Sequence, residues 1–257
     1  MSFLTVQHIH HMYFTKESAT LALEDIDLQV EEGEFISFLG PSGCGKTTLL
    51  SIIAGLITPT KGSILMEGKP IKHDSSAIGY MLQQDYLFPW KTIAENILIG
   101  LKISKNHSAE AKGKTLSLLK DMGLDNVEKN YPRQLSGGMR QRAALVRTLS
   151  TNPKLLMLDE PFSALDYQTK LKLEDLVWST LKDFQKTALL VTHDIGEAIA
   201  MSDRIFLLSP RPGKIAQTFH VPEELKSLTP FAARQHPSYT DLFQHIWKEL
   251  DQLDGKE

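Results

Sequence analysis

The stretch that most restricts the fold is FLGPSGCGKTTLL, Phe38 to Leu50, where Gly40, Gly43 and Gly45 crowd into six residues and Lys46 and Thr47 follow at once. A tight turn needs one glycine or two, so three ahead of a lysine mark a backbone that must approach another group closely. The spacing fits G-x-x-x-x-G-K-[ST] from Gly40 to Thr47, with Pro41, Ser42, Gly43 and Cys44 at the free positions. In that arrangement backbone N–H groups surround phosphates, the lysine reaches the outer phosphate oxygens and the hydroxyl of Thr47 binds Mg²⁺. The flanks agree. EFISFLG is an apolar run of strand length, and GKTTLLSIIAGL has helical length and apolar repetition, so the loop opens onto a helix N-terminus. On its own this motif names a nucleotide phosphate and no function.

A chain of 257 residues can bury a full core and sits near the upper limit for one domain, so a single domain with a smaller subdomain is expected. Lys plus Arg number 28 against 31 Asp plus Glu, with no basic block, which argues against a nucleic-acid partner. No apolar run approaches the ~20 residues of a membrane span. The N-terminus MSFLTVQHIHHMYF lacks the basic start and long apolar core of a signal peptide, so a soluble, cytoplasmic chain is expected. Cys44 is the only cysteine, which excludes an intrachain disulfide, and its place beside Lys46 and a helix N-terminus favours a thiolate.

Along the chain, LTVQHIHHMYF and ALEDIDLQV read as strands, EFISFLG as the strand feeding the phosphate loop, and GSILMEGKPI as a short hairpin turning at Gly68. From about 92 to 135 the segments become helical, including SAEAKGKTLSLLKDMG with Ser108 and Gly123 where a cap and a stop belong. Strand and helix then alternate: KLLMLDEP, the long LDYQTKLKLEDLVWSTLKDF, TALLVTHD and DIGEAIAMSD. RIFLLSPRPGKIAQTFHV reads as a hairpin turning at Pro210 to Gly213, and SYTDLFQHIWKEL as a closing amphipathic helix. The alternation implies an α/β core of parallel strands, with ligands beyond the strands' carboxyl ends.

A Mg²⁺-nucleotide site needs an acid on a strand beside the phosphate loop. Asp159 ends the apolar run of LLMLDEP, suited to hold Mg²⁺, and Glu160 beside it is suited to polarise a water. His193 ends another buried strand, within reach of a γ-phosphate. Ser136, Gly137 and Gly138 in QLSGGMRQRAAL open a helix, a second anion site in a chain whose first is already complete. Two such sites make sense if each completes the other across a dimer interface.

These motifs together resemble the ATP-binding cassette (ABC) ATPases, the nucleotide-binding subunits of membrane transporters, over roughly Leu4 to His220. GPSGCGKTT is similar to the Walker A loop, LSGGMRQR to the signature, LLMLDEP to Walker B, SALD with Asp166 to the D-loop, and His193 to the switch histidine. Gln83 in YMLQQDYLFPW falls where the family's Q-loop glutamine lies, and is preferred to Gln84. The resemblance implies a P-loop NTPase core of α/β class with an antiparallel β subdomain and an inserted helical subdomain at about 92–135, all within one domain of 1–257. Residues from about 221 to 257 would form a C-terminal helical extension. ATP and Mg²⁺ are the implied cofactors. ATP would meet Tyr13, the loop residues Gly40, Pro41, Ser42, Gly43, Cys44, Gly45, Lys46, Thr47 and Thr48, and Ser136, Gly137 and Gly138. Mg²⁺ would meet Thr47, Gln83 and Asp159, while Glu160, His193, Gln83 and Lys46 would carry catalysis. Phe14 competes with Tyr13 for adenine stacking, and a purely packed aromatic remains a third reading. His8, His10 and His11, with no cysteine or acid beside them in sequence, read as a polar strand face rather than a metal site.

LFPWKTIAENI and SPRPGKI resemble the importer subgroup that serves nitrate, taurine, alkanesulfonates and some vitamin precursors. VRTL, Val146 to Leu149, departs from the commoner Arg-Ala-Leu, and Thr47-Thr48 replaces Ser-Thr while keeping the hydroxyl. The implied partners are a second ATPase subunit, an integral membrane permease and an extracytoplasmic substrate-binding protein, which puts the chain on the cytoplasmic side of a bacterial-type membrane. Gln83 to Trp90 is the expected face for the permease, with Trp90 packed between subdomains as the alternative. Two other classes stay open: a soluble cassette acting on nucleic acid or ribosomes, and a phosphate-loop kinase. The absence of a tandem cassette and a basic face disfavours the first, and LSGGMRQR the second.

Overall fold

The alternating apolar positions of the first two long strands give one buried sheet face. Leu4–Phe14 (β1) and Ala19–Val30 (β2) pair antiparallel, with Leu4 opposite Val30 and Phe14 opposite Ala19. Val6, Ile9, Leu23, Ile26 and Leu28 are turned inward. Lys61–Met66 (β4) adds to the other edge of β1, and Lys69–Pro70 (β5) closes the hairpin through Gly68, whose φ of 73° suits glycine. The resulting antiparallel sheet has the order β2-β1-β4-β5. This computed structural model describes residues 2–71, 77–106, 108–163 and 165–254.

The second sheet has the order β10-β9-β3-β8-β7-β6. It comprises Phe35–Leu39 (β3), Ile78–Met81 (β6), Leu155–Asp159 (β7), Thr187–Val191 (β8), Arg204–Leu208 (β9) and Ile215–His220 (β10). All pairs are parallel except the β9–β10 hairpin. Every residue of β3, β7 and β8 is buried, as continuous apolar runs covered on both faces require. Register fixes the site: Phe38 of β3 and Asp159 of β7 both stand opposite Val191 of β8. Three strands therefore end level, and Gly40, Glu160 and His193 emerge along one rim.

Lys46–Ile53 (α1) follows the glycine loop and packs between the sheets, its Leu49, Leu50 and Ile53 meeting Ile36, Phe38 and Leu189 in one core. On the opposite face, Ile93–Ile97 (α2), Ile99–Ile103 (α3), Ala109–Asp121 (α4) and Gly137–Leu149 (α5) bring Ile93, Leu119 and Leu145 against Leu156 and Leu158 of β7. Thr92 caps α2 in a reciprocal pair with Glu95, and Ser108 caps α4 by accepting from the Ala111 N–H. Tyr167–Asp183 (α6) and Ile195–Met201 (α7) flank β8 in sequence. The chain continues as Glu223–Lys226 (α8), Pro230–Ala233 (α9) and Pro237–Asp254 (α10), which share a third core with α7 and β9.

Candidate functional site

The loop glycines are explained in part by protein packing. A Cβ on Gly40 would lie 2.8 Å from the Leu208 carbonyl oxygen and one on Gly45, at φ +100°, 2.7 Å from Leu23 Cδ2. Some of the close approach read as phosphate contact is thus to β9 and β2. Lys46 is buried, and its Nζ donates to the carbonyls of Gly40 and Pro41 at 2.7 and 2.9 Å. The ammonium is held by neutral oxygens inside the loop and makes no ion pair among the described residues, which leaves its charge for an anion. In the sequence SPRPGKI reads as a hairpin turn and a subgroup mark, with no link to the phosphate loop. In the structure this turn backs the loop: Arg211 Nε donates to the Gly43 carbonyl at 3.2 Å, and any Cβ on Gly213 would collide with the Cys44 carbonyl.

Cys44 corrects the thiolate expectation. Its side chain is buried, and desolvation pushes the thiol up more than Lys46, 3.8 Å from Sγ, pulls it down. Native protein should therefore react slowly with a thiol reagent at neutral pH and rapidly once unfolded, with nucleotide slowing the native reaction further. Stoichiometric labelling of the folded chain at the rate of a free thiol would contradict this burial.

At the end of β7, Asp159 is buried, and Thr47 Oγ1 donates to its Oδ1 at 3.2 Å while the Tyr80 phenol donates to Oδ2 at 3.4 Å. Burial raises the Asp159 carboxyl, the Thr47 bond lowers it and the adjacent Glu160 charge raises it again. A buried acid of this kind calls for a cation, and the oxygens of Thr47 and Asp159 are the hard donors Mg²⁺ takes. Tyr80 was missed in the sequence because nothing in an apolar strand marks its hydroxyl; burial pushes it up to about 12, so it stays a donor.

Glu160 adopts φ +46°, uncommon for a residue with a side chain, while its N–H donates to the Val191 carbonyl at 2.9 Å. Gln83 Nε2 donates to Glu160 Oε2 at 3.0 Å, and His193 Nδ1 lies 3.3 Å from Oε1. Three residues from three separate segments thus meet at one carboxylate, and Gln83 rather than Gln84 makes the contact. Gln141, a signature-helix residue without an assigned role in the sequence, ties these segments together: its Nε2 donates to the carbonyls of Pro161 and Gln83 at 2.7 and 3.3 Å. Arg147 donates to the carbonyls of Asp85 and Tyr86, both at 2.7 Å, and Thr148, the departure in VRTL, packs against Gly79 of β6.

Ser136 caps α5 by accepting from the Met139 N–H at 3.3 Å, and a Cβ on Gly137 would meet open space. Among the described residues no hydrogen bond or ion pair joins 136–138 to 40–48, so the two anion sites are not brought together within one chain. Asp166 caps α6 by accepting from the Thr169 N–H; Ala164 of the same SALD motif lies outside the described residues.

Tyr13 is 43% exposed with its hydroxyl 3.1 Å from Thr48 Oγ1, whereas Phe14 is 71% exposed. The histidines do not form one polar face. His11 is buried edge-on to Tyr13, without a polar partner, and burial lowers its pKa. His8 and His10 do have acids beside them, across the β1–β2 pair: His8 Nδ1 is 2.9 Å from Asp25 Oδ1 and His10 Nε2 3.8 Å from the same oxygen. The acids were invisible in sequence because they lie on the neighbouring strand. Trp90 is 70% exposed, tilted against Phe88 at 5.5 Å, which removes the reading of a residue packed between subdomains.

Residues 23–163 match the family model described as ABC transporter. The uncharacterized ABC transporter ATP-binding protein YtlC of Bacillus subtilis is 63% identical over 257 residues, covering 100% of this chain and 99% of that protein. The taurine import ATP-binding protein TauB of Pelagibacter ubique is 35% identical over the whole of both chains. The ATP-binding cassette MJ0796, solved as a dimer in a post-hydrolysis state bound to ADP and Pi, superposes with a TM-score of 0.75 at 32% identity, covering 85% of this chain and 99% of that one. A glycine loop with its lysine, an acid pair at the rim of a parallel sheet and full-length relatives of one kind converge on a single assignment: the chain belongs to the ABC transporter family, as an ATP-binding cassette ATPase.

Proposed function

We propose that the chain powers uptake of a small molecule of the nitrate, sulfonate, taurine or vitamin-precursor type through a membrane permease. The observation that carries the hydrolytic part is the meeting of Gln83 and His193 on Glu160, beside the Thr47–Asp159 pair. In this reading Lys46 and the loop N–H groups of residues 40–48 hold the ATP phosphates, and Tyr13, anchored at Thr48, stacks on adenine. Thr47, Asp159 and Gln83 would hold Mg²⁺, which when bound would neutralise charge on the phosphate oxygens. Glu160 accepts a proton from the attacking water, and His193 and Gln83 hold its carboxylate in position. Ser136, Gly137 and Gly138 serve the ATP of a second subunit, so that hydrolysis occurs at two shared sites of a head-to-tail dimer.

The helices between 92 and 135 act as the inserted subdomain, and the signature follows directly at the start of α5. No helix among the described residues is long and apolar enough to cross a membrane, so membrane attachment would come through the permease on its cytoplasmic side. Leu82, Tyr86 and Trp90 are exposed beside Gln83, and Arg147 and Gln141 hold that segment's backbone, which suits a rigid apolar socket for a permease helix. The taurine-importing relative and the LFPW and SPRPG segments support the substrate class, and an extracytoplasmic binding protein would deliver it. Trp90→Ala should leave ATP hydrolysis by the free subunit within about 2-fold of the parent, because the indole is 70% exposed and its ring neighbour is Phe88, and should reduce transport by the complex on the order of 10-fold, as removal of an aromatic anchor does. Equal losses in both assays would overturn the coupling role, and failure to copurify with any membrane partner would overturn the transport reading itself.

A further inference from the structure

The buried charges that ATP chemistry does not use lie behind His193, and the C-terminal segment completes them. Both neighbours of His193 are tied down. Thr192 Oγ1 donates to Glu197 Oε2 at 2.5 Å, and Asp194 Oδ1 accepts from the Gly196 and Glu197 N–H groups at 2.7 and 3.2 Å, capping α7. Lys170 of α6 clamps the same corner, its Nζ 2.6 Å from Asp194 Oδ2 and 2.6 Å from Glu197 Oε1. One turn further along α6, Glu174 is fully buried. Its partner comes from just beyond α9: Arg234 Nη2 stands 2.7 Å from Glu174 Oε2, yet among the described residues neither carboxylate oxygen has an aligned hydrogen-bond donor, so the pair is held by charge rather than by direction.

Tyr239 of α10 closes the corner from the same side. A Cβ on Gly196 would lie 2.7 Å from the Tyr239 hydroxyl and 3.9 Å from Arg234 Nη2, so the C-terminal groups press on the first turn of α7, directly after His193. Beneath them Ala233 and Ile246 share an apolar core with Ile195, Ala198 and Ile199 of α7. The C-terminal segment is therefore packed onto the element that carries the histidine.

We propose that Arg234 and Glu174 are positioning residues for ATP hydrolysis, through which α8–α10 hold the backbone on both sides of His193, and that this hold is firmest when their ion pair is formed. The inference rests on the reading of His193 as part of the hydrolytic site. The charged and titratable groups facing Glu174 are Lys170 from its own helix, Asp194 and Glu197 from α7, Arg234 following α9 and Tyr239 from α10. Burial raises Glu174 to about 7, Arg234 and Lys170 oppose the shift, and Glu197 and Asp194 add to it. Near neutral pH the pair thus passes between an ionised form that draws Arg234 in and a protonated form that does not.

The test is steady-state MgATP hydrolysis by the full chain and by Arg234→Ala, Arg234→Lys and Glu174→Gln from pH 6 to pH 8. Arg234→Ala should lower kcat by about 3- to 10-fold, the size of effect expected of a residue acting through others, with KM for MgATP within about 2-fold because no phosphate contact is touched. Arg234→Lys should recover part of the loss. Glu174→Gln fixes the side chain in its neutral form, so the ratio of parent to variant kcat should be near one at pH 6 and rise several-fold by pH 8. A ratio flat with pH, or a loss in Arg234→Ala confined to KM, would overturn the proposal. If Arg234→Ala does not fold, the nearly isosteric Glu174→Gln decides. A parent protein that binds ATP without hydrolysing it would instead remove the hydrolytic reading on which the proposal stands.

Discussion

Glu160→Gln is expected to bind ATP as the parent does and to turn it over about 10²- to 10⁴-fold more slowly, the usual cost of removing a general base. The substitution keeps the side-chain length and an acceptor oxygen for Gln83, which now donates to Oε2 at 3.0 Å, so the site should keep its shape. What is lost is the carboxylate's capacity to take a proton, and Asp194, the acid next to His193 in the chain, is already engaged by Lys170 and by the Gly196 and Glu197 N–H groups. Asp159→Asn should behave differently. Its oxygens hold Thr47 and Tyr80 at the end of a fully buried strand, so replacing the carboxylate, which is the charged member of the set Thr47, Gln83 and Asp159, by a neutral amide weakens Mg²⁺-dependent nucleotide binding before it affects the chemical step. Single-turnover hydrolysis measured beside equilibrium nucleotide binding separates the two residues. Near-parental turnover by Glu160→Gln would remove it from the role of base, and unaltered Mg²⁺ dependence in Asp159→Asn would remove Asp159 from the metal.

Much of this arrangement can be read from the chain because its motifs end buried strands, and buried strands announce themselves as uninterrupted apolar runs. LLMLDEP and TALLVTHD fix where Asp159, Glu160 and His193 leave the sheet. The antiparallel hairpins and the helical stretch between 92 and 135 are legible for the same reason, since periodicity and caps are local. What stays hidden is whatever depends on a neighbour distant in sequence. Asp25 beside His8, Tyr80 on Asp159 and Gln141 bridging two segments each need the register of another strand or helix. Cys44 shows the limit of arguing from a local charge. Lys46 and a helix N-terminus both favour a thiolate, yet the desolvation supplied by packing outweighs them. Exposure is equally non-local: the sequence leaves Trp90 either on an outward face or packed between subdomains, and only the fold shows that Leu87 is buried while Trp90 faces solvent.

Mixing two inactive chains should restore hydrolysis. Lys46→Ala removes the buried ammonium that the Gly40 and Pro41 carbonyls hold inside the phosphate loop, and with it the charge for the ATP phosphates. Ser136→Arg puts a bulky cation at the exposed start of α5, where Gly137 opens onto free space, and costs the fold only about 1 kcal/mol for the lost cap. Alone, each chain forms dimers in which both shared sites carry a defect. In a mixed dimer one site combines the intact loop of the Ser136→Arg chain with the intact signature of the Lys46→Ala chain, and the other site carries both defects. Half of the dimers in an equal mixture would be mixed, each with one sound site of two, so recovery to about a quarter of parental activity is expected if pairing is random and sites act independently. Among the described residues the signature helix makes no hydrogen bond or ion pair to its own phosphate loop, which is the reason to expect sharing. Closure should also require the γ-phosphate, since a ligand bound only in the closed form draws the equilibrium toward it. In a Glu160→Gln background ATP should therefore shift the chain from monomer to dimer by sedimentation, and ADP should not. Mixed dimers that form yet neither hydrolyse ATP nor retain it at a single site would show that each chain works alone.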